Sequence, residues 1–151
     1  LHAFPSAVAF MNAGHDGLRA LGHSNRKVEY ILDIAARAAG GQFEFDDFAR
    51  LSNAEVTHRL TQLRGVGAWT AQWVMLRALG RTDPFPAGDL ALQRVISQHY
   101  FDGRPVKEAD AAAFGHERWG EYAGLATTYL FAYIRTLRIR AAGQPGQGAQ
   151  V

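Results

Sequence analysis

The chain has 151 residues, 48% of them hydrophobic, which is enough for a globular domain with a buried core. It contains no cysteine, and this excludes disulfides, thiolate zinc sites and cysteine-ligated iron–sulfur clusters. The formal net charge of +2 does not by itself indicate a polyanion binder, although every basic residue except Lys27 and Lys107 is arginine, which contacts phosphate with two donors at once.

Three helical segments are predicted in the first part of the chain. Apolar residues at three-to-four spacing predict a helix over residues 25–39, which Gly40 and Gly41 end. A short helix is predicted over Asp46–Leu51. Ser52 and Glu55 have the spacing of a capping box, in which each residue satisfies a backbone donor of the other. This box predicts the start of a third helix, whose apolar face carries Val56, Leu60 and Leu63.

The remainder of the chain continues the helical pattern. Helices are predicted over Ala68–Leu79, ended by Gly80, and over Leu90–Tyr100, Lys107–Phe114 and Glu117–Arg138. Residues 81–88 hold two prolines and a glycine and are predicted to form a loop. Residues 141–151 have no periodicity and are predicted to be a disordered tail. No segment has a convincing strand pattern, so the predicted fold class is all-α.

The connection LRGVG, residues 63–67, joins two predicted helices and makes a helix–hairpin–helix. Its glycines, Gly65 and Gly67, permit backbone conformations with positive φ and leave no side chain between the backbone and an approaching group. Amides at the start of the following helix favour an anion such as a DNA phosphate, and Arg64 can add a charged contact. An ordinary tight turn between helices is the alternative interpretation.

Two further features admit both a structural and a chemical interpretation. Trp69 and Trp73 lie four residues apart on one helical face, where they are either a core pair or a stacking wall for a planar, cationic base. Asp89 follows a Pro/Gly loop and precedes a helical pattern, which predicts an N-cap. A carboxylate held there can also stabilise developing positive charge or orient water.

The segment LTQLRGVGAWTAQWVMLRALGRTDPFPAGDLALQRVI resembles the hairpin and catalytic segment of the helix–hairpin–helix (HhH-GPD) DNA glycosylase superfamily. The pattern of that superfamily is a hairpin of the form L-P-G-V-G, followed about two dozen residues later by G-D or V-D. The chain looks most like the alkyladenine branch, DNA-3-methyladenine glycosylase II. The resemblance extends from Phe4 to Ile139 and implies a helix–hairpin–helix glycosylase fold.

The resemblance implies a role for each matching position. Asp89 falls on the catalytic aspartate of the family. Gly65 and Gly67 fall on the hairpin glycines that donate to DNA phosphates, and DNA contacts are also expected at Arg64, Val66 and Thr70. Aromatic positions of the base pocket are implied at Trp69, Trp73 and Phe131. The backbone carbonyls of Thr61, Leu63 and Val66 fall where the family hairpin often holds a sodium or potassium ion, and no cofactor is expected to be required.

Position 69 bears on the expected reaction. Bifunctional members of the family carry a Schiff-base lysine where this chain has Trp69, and neither Lys27 nor Lys107 matches that position. The resemblance therefore implies a monofunctional enzyme, which hydrolyses the N-glycosidic bond of alkylated purines in duplex DNA and leaves an abasic site. A monomer in the bacterial cytoplasm, associated with the nucleoid through DNA and with no membrane, is expected.

The chain departs from the family pattern in three respects. Arg64 replaces the hairpin proline. Glu121 and Ala123 replace the proline and arginine of a W-x-P-x-R segment, so the contact that this arginine makes in the family is not expected here. The sequence also begins within the family pattern, so residues 1–140 are expected to be a glycosylase domain that lacks its N-terminal part, in the C-terminal portion of a longer protein.

Two other functions are compatible with parts of the sequence. A helix–hairpin–helix can bind DNA without chemistry, and an all-α domain can serve protein interactions. Asp89 distinguishes the first of these from an enzyme, because an anion beside DNA repels phosphate and gives a pure binder nothing. The six histidines contain no pair at i, i+4 spacing and are expected to be solvated surface residues rather than metal ligands.

Overall fold

The structure, a computed structural model, describes residues 3–42 and 45–142. Within these ranges the chain forms α-helices and 3₁₀ helices and no strand, so the all-α prediction is confirmed. None of the helices described has the length and apolar character needed to cross a bilayer. The chain forms two compact units, Leu1–Ala71 and Gln72–Val151.

The first unit is built on two packed helices, α1 (Ala7–Ala20) and α2 (Asn25–Ala39). Leu18 of α1 and Val28 and Ala35 of α2 are buried. The bounds of α2 are those predicted. The sequence pattern does not predict α1, in which Gly14 has φ 61° and interrupts the regular helix.

A 3₁₀ helix (Phe45–Arg50) replaces the predicted short helix and is followed by α3 (Asn53–Thr61). The capping box is confirmed: Ser52 Oγ accepts from the Glu55 amide at 3.3 Å, and Glu55 Oε2 accepts from the Ser52 amide at 2.8 Å. The Ser52 hydroxyl also donates to the Glu55 carboxylate at 2.7 Å, which lowers the pKa of Glu55. Local signals alone therefore fix the start of α3.

Helix α4 (Ala68–Arg77) begins in the first unit and ends in the second. It stops before the predicted end at Leu79, whose amide donates instead to the Val74 carbonyl at 3.2 Å. Gly80 follows with φ 66°. The second unit then contains α5 (Leu90–Tyr100), with the predicted bounds, α6 (Glu108–Trp119), a 3₁₀ helix (Gly120–Tyr122) and α7 (Ala123–Ala142).

The predicted helices over Lys107–Phe114 and Glu117–Arg138 have the wrong boundary between them. Gly120 has φ 51° and ψ −126°, a conformation that favours glycine and that no α-helix contains, so the break lies there. Helix α7 extends to Ala142 and thus includes the first two residues of the segment predicted as a tail. Residues 143–151 lie outside the described residues.

The core of the second unit lies among α5, α6, α7 and the loop before α5. Its buried residues are Phe85, Ala87, Leu92, Ile96, Ala111 and Ala123. Four aromatic rings extend this core, with centroids 4.9 to 5.9 Å apart: Tyr100, Phe101, Phe114 and Trp119. Tilted and edge contacts of this kind pack tightly, and they hold α6 against the end of α5.

Candidate active site and nucleic-acid interface

The hairpin between α3 and α4 closes by backbone hydrogen bonds. The Leu63 amide donates to the Leu60 carbonyl at 3.0 Å, and the Val66 amide donates to the Leu63 carbonyl at 3.1 Å. The Gly67 carbonyl accepts the first bond of α4, from Ala71, also at 3.0 Å. The predicted helix–hairpin–helix is therefore present, and the amides of the first turn of α4 follow directly from an exposed hairpin.

Gly65 fits the hairpin for two physical reasons. Its φ is 88°, a conformation that L side chains rarely adopt. A Cβ at this position would lie 2.1 Å from Cδ2 of Tyr30, a residue of α2. Gly67 differs in both respects, because its φ is not positive and a Cβ there would meet no atom within 4 Å. Gly65 is thus needed for folding, whereas Gly67 leaves the backbone open to an approaching group.

Arg64 lies over α2 rather than alone on the hairpin. Its guanidinium pairs with Glu29 at 3.1 Å, and its Cζ lies 5.4 Å from the centroid of the Tyr30 ring. Arg26 packs against the same Tyr30 ring. Its Cζ lies 5.7 Å from the ring centroid, and its Nε donates to the Tyr30 hydroxyl at 2.5 Å. This hydrogen bond raises the pKa of the Arg26 guanidinium above its ordinary value, which is already far above physiological pH.

Asp89 is the N-cap of α5, as predicted. Its Oδ1 accepts from the amides of Ala91 at 2.9 Å and Leu92 at 3.2 Å, and its own amide donates to the Pro86 carbonyl at 2.9 Å. The carboxylate is half-buried. Both its backbone and its side chain are therefore held by hydrogen bonds, and these bonds fix the direction of the carboxylate.

The loop that carries Asp89 is itself buried and clamped by α6 and α7. Residues 84–87 are all buried. A Cβ on Gly115 of α6 would lie 2.5 Å from the Phe85 ring, and one on Gly124 of α7 would lie 2.5 Å from the Pro84 carbonyl oxygen. Both helices thus approach the loop more closely than any other residue type allows. This rigidity keeps Asp89 in one position.

A second carboxylate lies against Gly88, the residue that precedes Asp89. Glu108, in the first turn of α6, packs against Gly88, where a Cβ would lie 3.2 Å from its Oε1. The sequence pattern does not predict this contact, because the two residues are separated by a helix and a loop. An acidic residue at the first turn of a helix is the only local signal.

The aromatic residues predicted for the base pocket have different surroundings. Trp73 and Phe131 are brought together in an edge contact, with ring centroids 5.5 Å apart, and both are half-buried. The Arg77 guanidinium lies over the Trp73 ring at 5.3 Å. Trp69 lies one turn earlier on α4, in the first unit, and 48% of it is exposed. Trp69 is therefore not a buried core residue.

The positions that depart from the family pattern can be placed as well. Ala123 is fully buried at the start of α7, and its carbonyl accepts from the Thr127 hydroxyl at 3.0 Å. An arginine there would not fit the core as it is packed. Glu121 is exposed in the 3₁₀ helix before α7.

Metal binding by side chains finds no support in the part of the chain that is described, where no three His, Asp or Glu residues are grouped as ligands. The expected alkali-cation site uses backbone oxygens instead. Such oxygens suit a hard cation, and the Leu63 carbonyl retains a second lone pair beside the bond that it accepts from Val66. The donor type therefore fits a sodium or potassium ion at the hairpin.

These features define a helix–hairpin–helix protein with an acidic helix cap on a rigid loop. The sequence pattern of the HhH-GPD superfamily of base excision DNA repair proteins matches residues 1–119. The chain belongs to this superfamily.

Individual relatives agree with this membership. DNA-3-methyladenine glycosylase 1 of Schizosaccharomyces pombe is 35% identical over 91 residues, which are 60% of this chain and 40% of that protein. The solved structure of 3-methyladenine DNA-glycosylase from Archaeoglobus fulgidus is similar with a TM-score of 0.77 at 36% identity, over 88% of this chain and 44% of that one. S. pombe 3-methyladenine DNA glycosylase (Mag1) in complex with abasic DNA has a TM-score of 0.75 at 27% identity, over 84% and 62%. The chain thus spans less than two thirds of each of these proteins.

Proposed function

We propose that this chain is the helix–hairpin–helix part of a monofunctional DNA glycosylase, which hydrolyses the N-glycosidic bond of alkylated purines in duplex DNA. The observation that carries the proposal is Asp89, a carboxylate fixed by backbone hydrogen bonds on a clamped loop in a chain of this superfamily. The names of the relatives, 3-methyladenine glycosylases, support the alkylated-purine class of substrate.

The chemistry follows from where charge develops. The bond between the base nitrogen and C1′ breaks with its electron pair going to the base, and the sugar becomes oxocarbenium-like. Asp89 stabilises that positive charge and orients water, whose oxygen bonds to C1′. The cationic purine leaves as a neutral base, and the proton that the water loses passes to the Asp89 carboxylate and then to solvent. An abasic site and a free base result. Trp69 stands where a Schiff-base lysine would be needed for strand cleavage, so the proposed reaction ends at hydrolysis.

Base recognition is assigned to the aromatic residues. The target base leaves the stack, and alkylation at N3 or N7 makes a purine cationic, so an electron-rich indole face attracts it. Exposed Trp69 offers such a face, while Trp73 and Phe131 contribute through the wall that their edge contact forms.

Duplex DNA is the proposed partner and the hairpin its contact surface. The amides of Gly65 and Gly67, the hairpin surface at Val66, and the side chains of Arg64 and Thr70 are proposed to contact the phosphate backbone. A sodium or potassium ion on the carbonyls of Thr61, Leu63 and Val66 would neutralise part of that phosphate charge. The protein is proposed to act as a monomer.

The test is release of free base by the full-length protein that contains this chain. Alkylated duplex DNA is incubated with the unsubstituted protein, with Asp89→Asn and with Asp110→Asn, and released 3-methyladenine is measured by chromatography. Asp110 is an exposed carboxylate in the first turn of α6 and serves as the charge-matched control. We expect Asp89→Asn to lower the rate by about a hundredfold or more with DNA binding retained. Salt-sensitive DNA binding with no base release by the unsubstituted protein would instead identify a binding module.

A further inference from the structure

Arg64 of the hairpin and three residues of α2 to which the family resemblance assigns no role, Arg26, Glu29 and Tyr30, form a platform. It consists of the Tyr30 ring, the two guanidiniums that lie over it, Arg26 and Arg64, and the carboxylate of Glu29. All four side chains belong to the first unit. We propose that this platform is a second phosphate site, at which Arg26 and Arg64 together bind the backbone of the DNA that the hairpin contacts. The inference rests on the proposed DNA-binding function.

Charge is the first argument for an anionic ligand. The platform carries two arginines and a single carboxylate, which pairs with Arg64. Arg26 makes no ion pair with any carboxylate in the described ranges, and its hydrogen bond to Tyr30 uses only Nε. Its terminal amino groups therefore remain as donors for an acceptor outside the chain, and a guanidinium binds phosphate with two parallel bonds.

Order is the second argument. An exposed arginine normally loses much rotamer freedom when it binds a phosphate. Here the aromatic ring and its hydroxyl hold Arg26 in place, at 5.7 Å from the centroid and 2.5 Å from the oxygen, before any ligand arrives. Preorganisation of this kind lowers the entropic cost of binding, so a single side chain contributes more than a mobile surface cation.

The contact with Gly65 joins the platform to the hairpin. The Tyr30 ring fills the space that a side chain at position 65 would occupy. Tyr30, and with it Arg26, is therefore placed by the same residue that shapes the hairpin. A phosphate bound by the amides after Gly67 and one bound by Arg26 would thus belong to one backbone segment, and Tyr30 is a positioning residue for both contacts.

Glu29 has a specific part in this arrangement. Its ion pair with Arg64 is between side chains that are 48% and 65% exposed, so solvent screens it and an incoming phosphate can replace the carboxylate. In the free protein Glu29 keeps Arg64 beside Tyr30. In the complex the phosphate takes its place, and Glu29 then opposes binding through like-charge repulsion.

The experiment measures the affinity of the full-length protein for an undamaged duplex oligonucleotide over a salt series from about 50 to 200 mM, the range in which phosphate contacts show themselves. The variants are Arg26→Gln and the matched control Arg37→Gln. Arg37 lies on the same helix and is also exposed, but it pairs with Asp33 at 3.1 Å. We expect Arg26→Gln to reduce the slope of log Kd against log salt by about 0.9, the value for one lost phosphate contact. The control should leave the slope unchanged.

Two further variants separate positioning from charge. Tyr30→Phe keeps the ring against Gly65 and removes the hydroxyl, so Kd should rise by about two- to tenfold while the slope stays the same. Glu29→Gln should lower Kd. Equal slopes for Arg26→Gln and Arg37→Gln, with DNA still bound, would overturn this inference alone. Absence of any DNA binding by the unsubstituted protein would overturn the proposed function along with it.

Discussion

Substitution of the two hairpin glycines by alanine should separate folding from DNA contact. Gly65→Ala places a methyl group 2.1 Å from Cδ2 of Tyr30 and forces a side chain into φ 88°. The left-handed conformation costs about 1–2 kcal/mol. Displacing the packed Tyr30 ring costs about 1–3 kcal/mol more. The free energy of unfolding should therefore fall by about 2–5 kcal/mol. Gly67→Ala creates neither the clash nor the backbone strain, so it should change the free energy of unfolding by less than about 0.5 kcal/mol.

Urea unfolding of the full-length protein, followed by circular dichroism, measures these differences. A double-mutant cycle with Tyr30→Ala isolates the ring contact, because the methyl group at position 65 then has room and only the backbone strain remains. We expect the two substitutions together to cost about 1–3 kcal/mol less than their sum. DNA binding should weaken in Gly67→Ala despite its unchanged stability. Equal costs for the two alanines, or strict additivity in the cycle, would refute the proposed role of Tyr30.

Substitutions at three other positions test the N-cap of α5 at Asp89, the packing of α6 on the loop at Gly115 and the capping box at Glu55. Asp89→Ala should lower the free energy of unfolding by about 1 kcal/mol, whereas Asp89→Asn should not, because asparagine caps equally well; equal losses in urea would contradict the cap. Gly115→Ala drives a methyl group to 2.5 Å from Phe85 and should cost about 1–3 kcal/mol, seen as a lower Tm; an unchanged Tm would show that the contact is loose. The lowered pKa of Glu55 means that its stabilising effect is present above the pKa of the unfolded chain and is lost as the pH falls through the folded pKa. Glu55→Gln should therefore show a smaller loss of stability between about pH 5 and pH 3, measured by denaturation at each pH, and identical pH profiles would speak against the capping box.

Most of the fold could be predicted from local sequence signals, namely apolar periodicity and helix-capping residues. Helices α2 and α5 have the bounds expected from their periodicity, and both follow a residue whose side chain caps them, Ser24 and Asp89. Such signals act within four residues and need no knowledge of the tertiary structure. Local signals do not predict the helix break at Gly120. The apolar pattern continues through this residue, but its positive φ ends α6 there.

Long-range contacts explain what the sequence could not indicate about the site. The sequence predicts Arg64 as a phosphate ligand. It does not predict the ion pair of Arg64 with Glu29, because the two residues are 35 positions apart. The fit of Tyr30 to Gly65 and that of Glu108 to Gly88 are likewise between elements. Periodicity describes which face of a helix is apolar and says nothing about which other element that face meets, so these contacts required the three-dimensional structure.

The double use of Asp89 has an evolutionary consequence. Its carboxylate is an N-cap, and the cap bonds that it accepts are ones that asparagine also accepts. A single-nucleotide exchange between the two residues would thus remove the proposed chemistry and leave the protein folded, abundant and able to hold DNA. Under the proposed function, purifying selection at this position would come from repair itself, because folding stability does not protect it. Lineages released from alkylation damage would accordingly be expected to retain such proteins as inactive DNA-binding descendants.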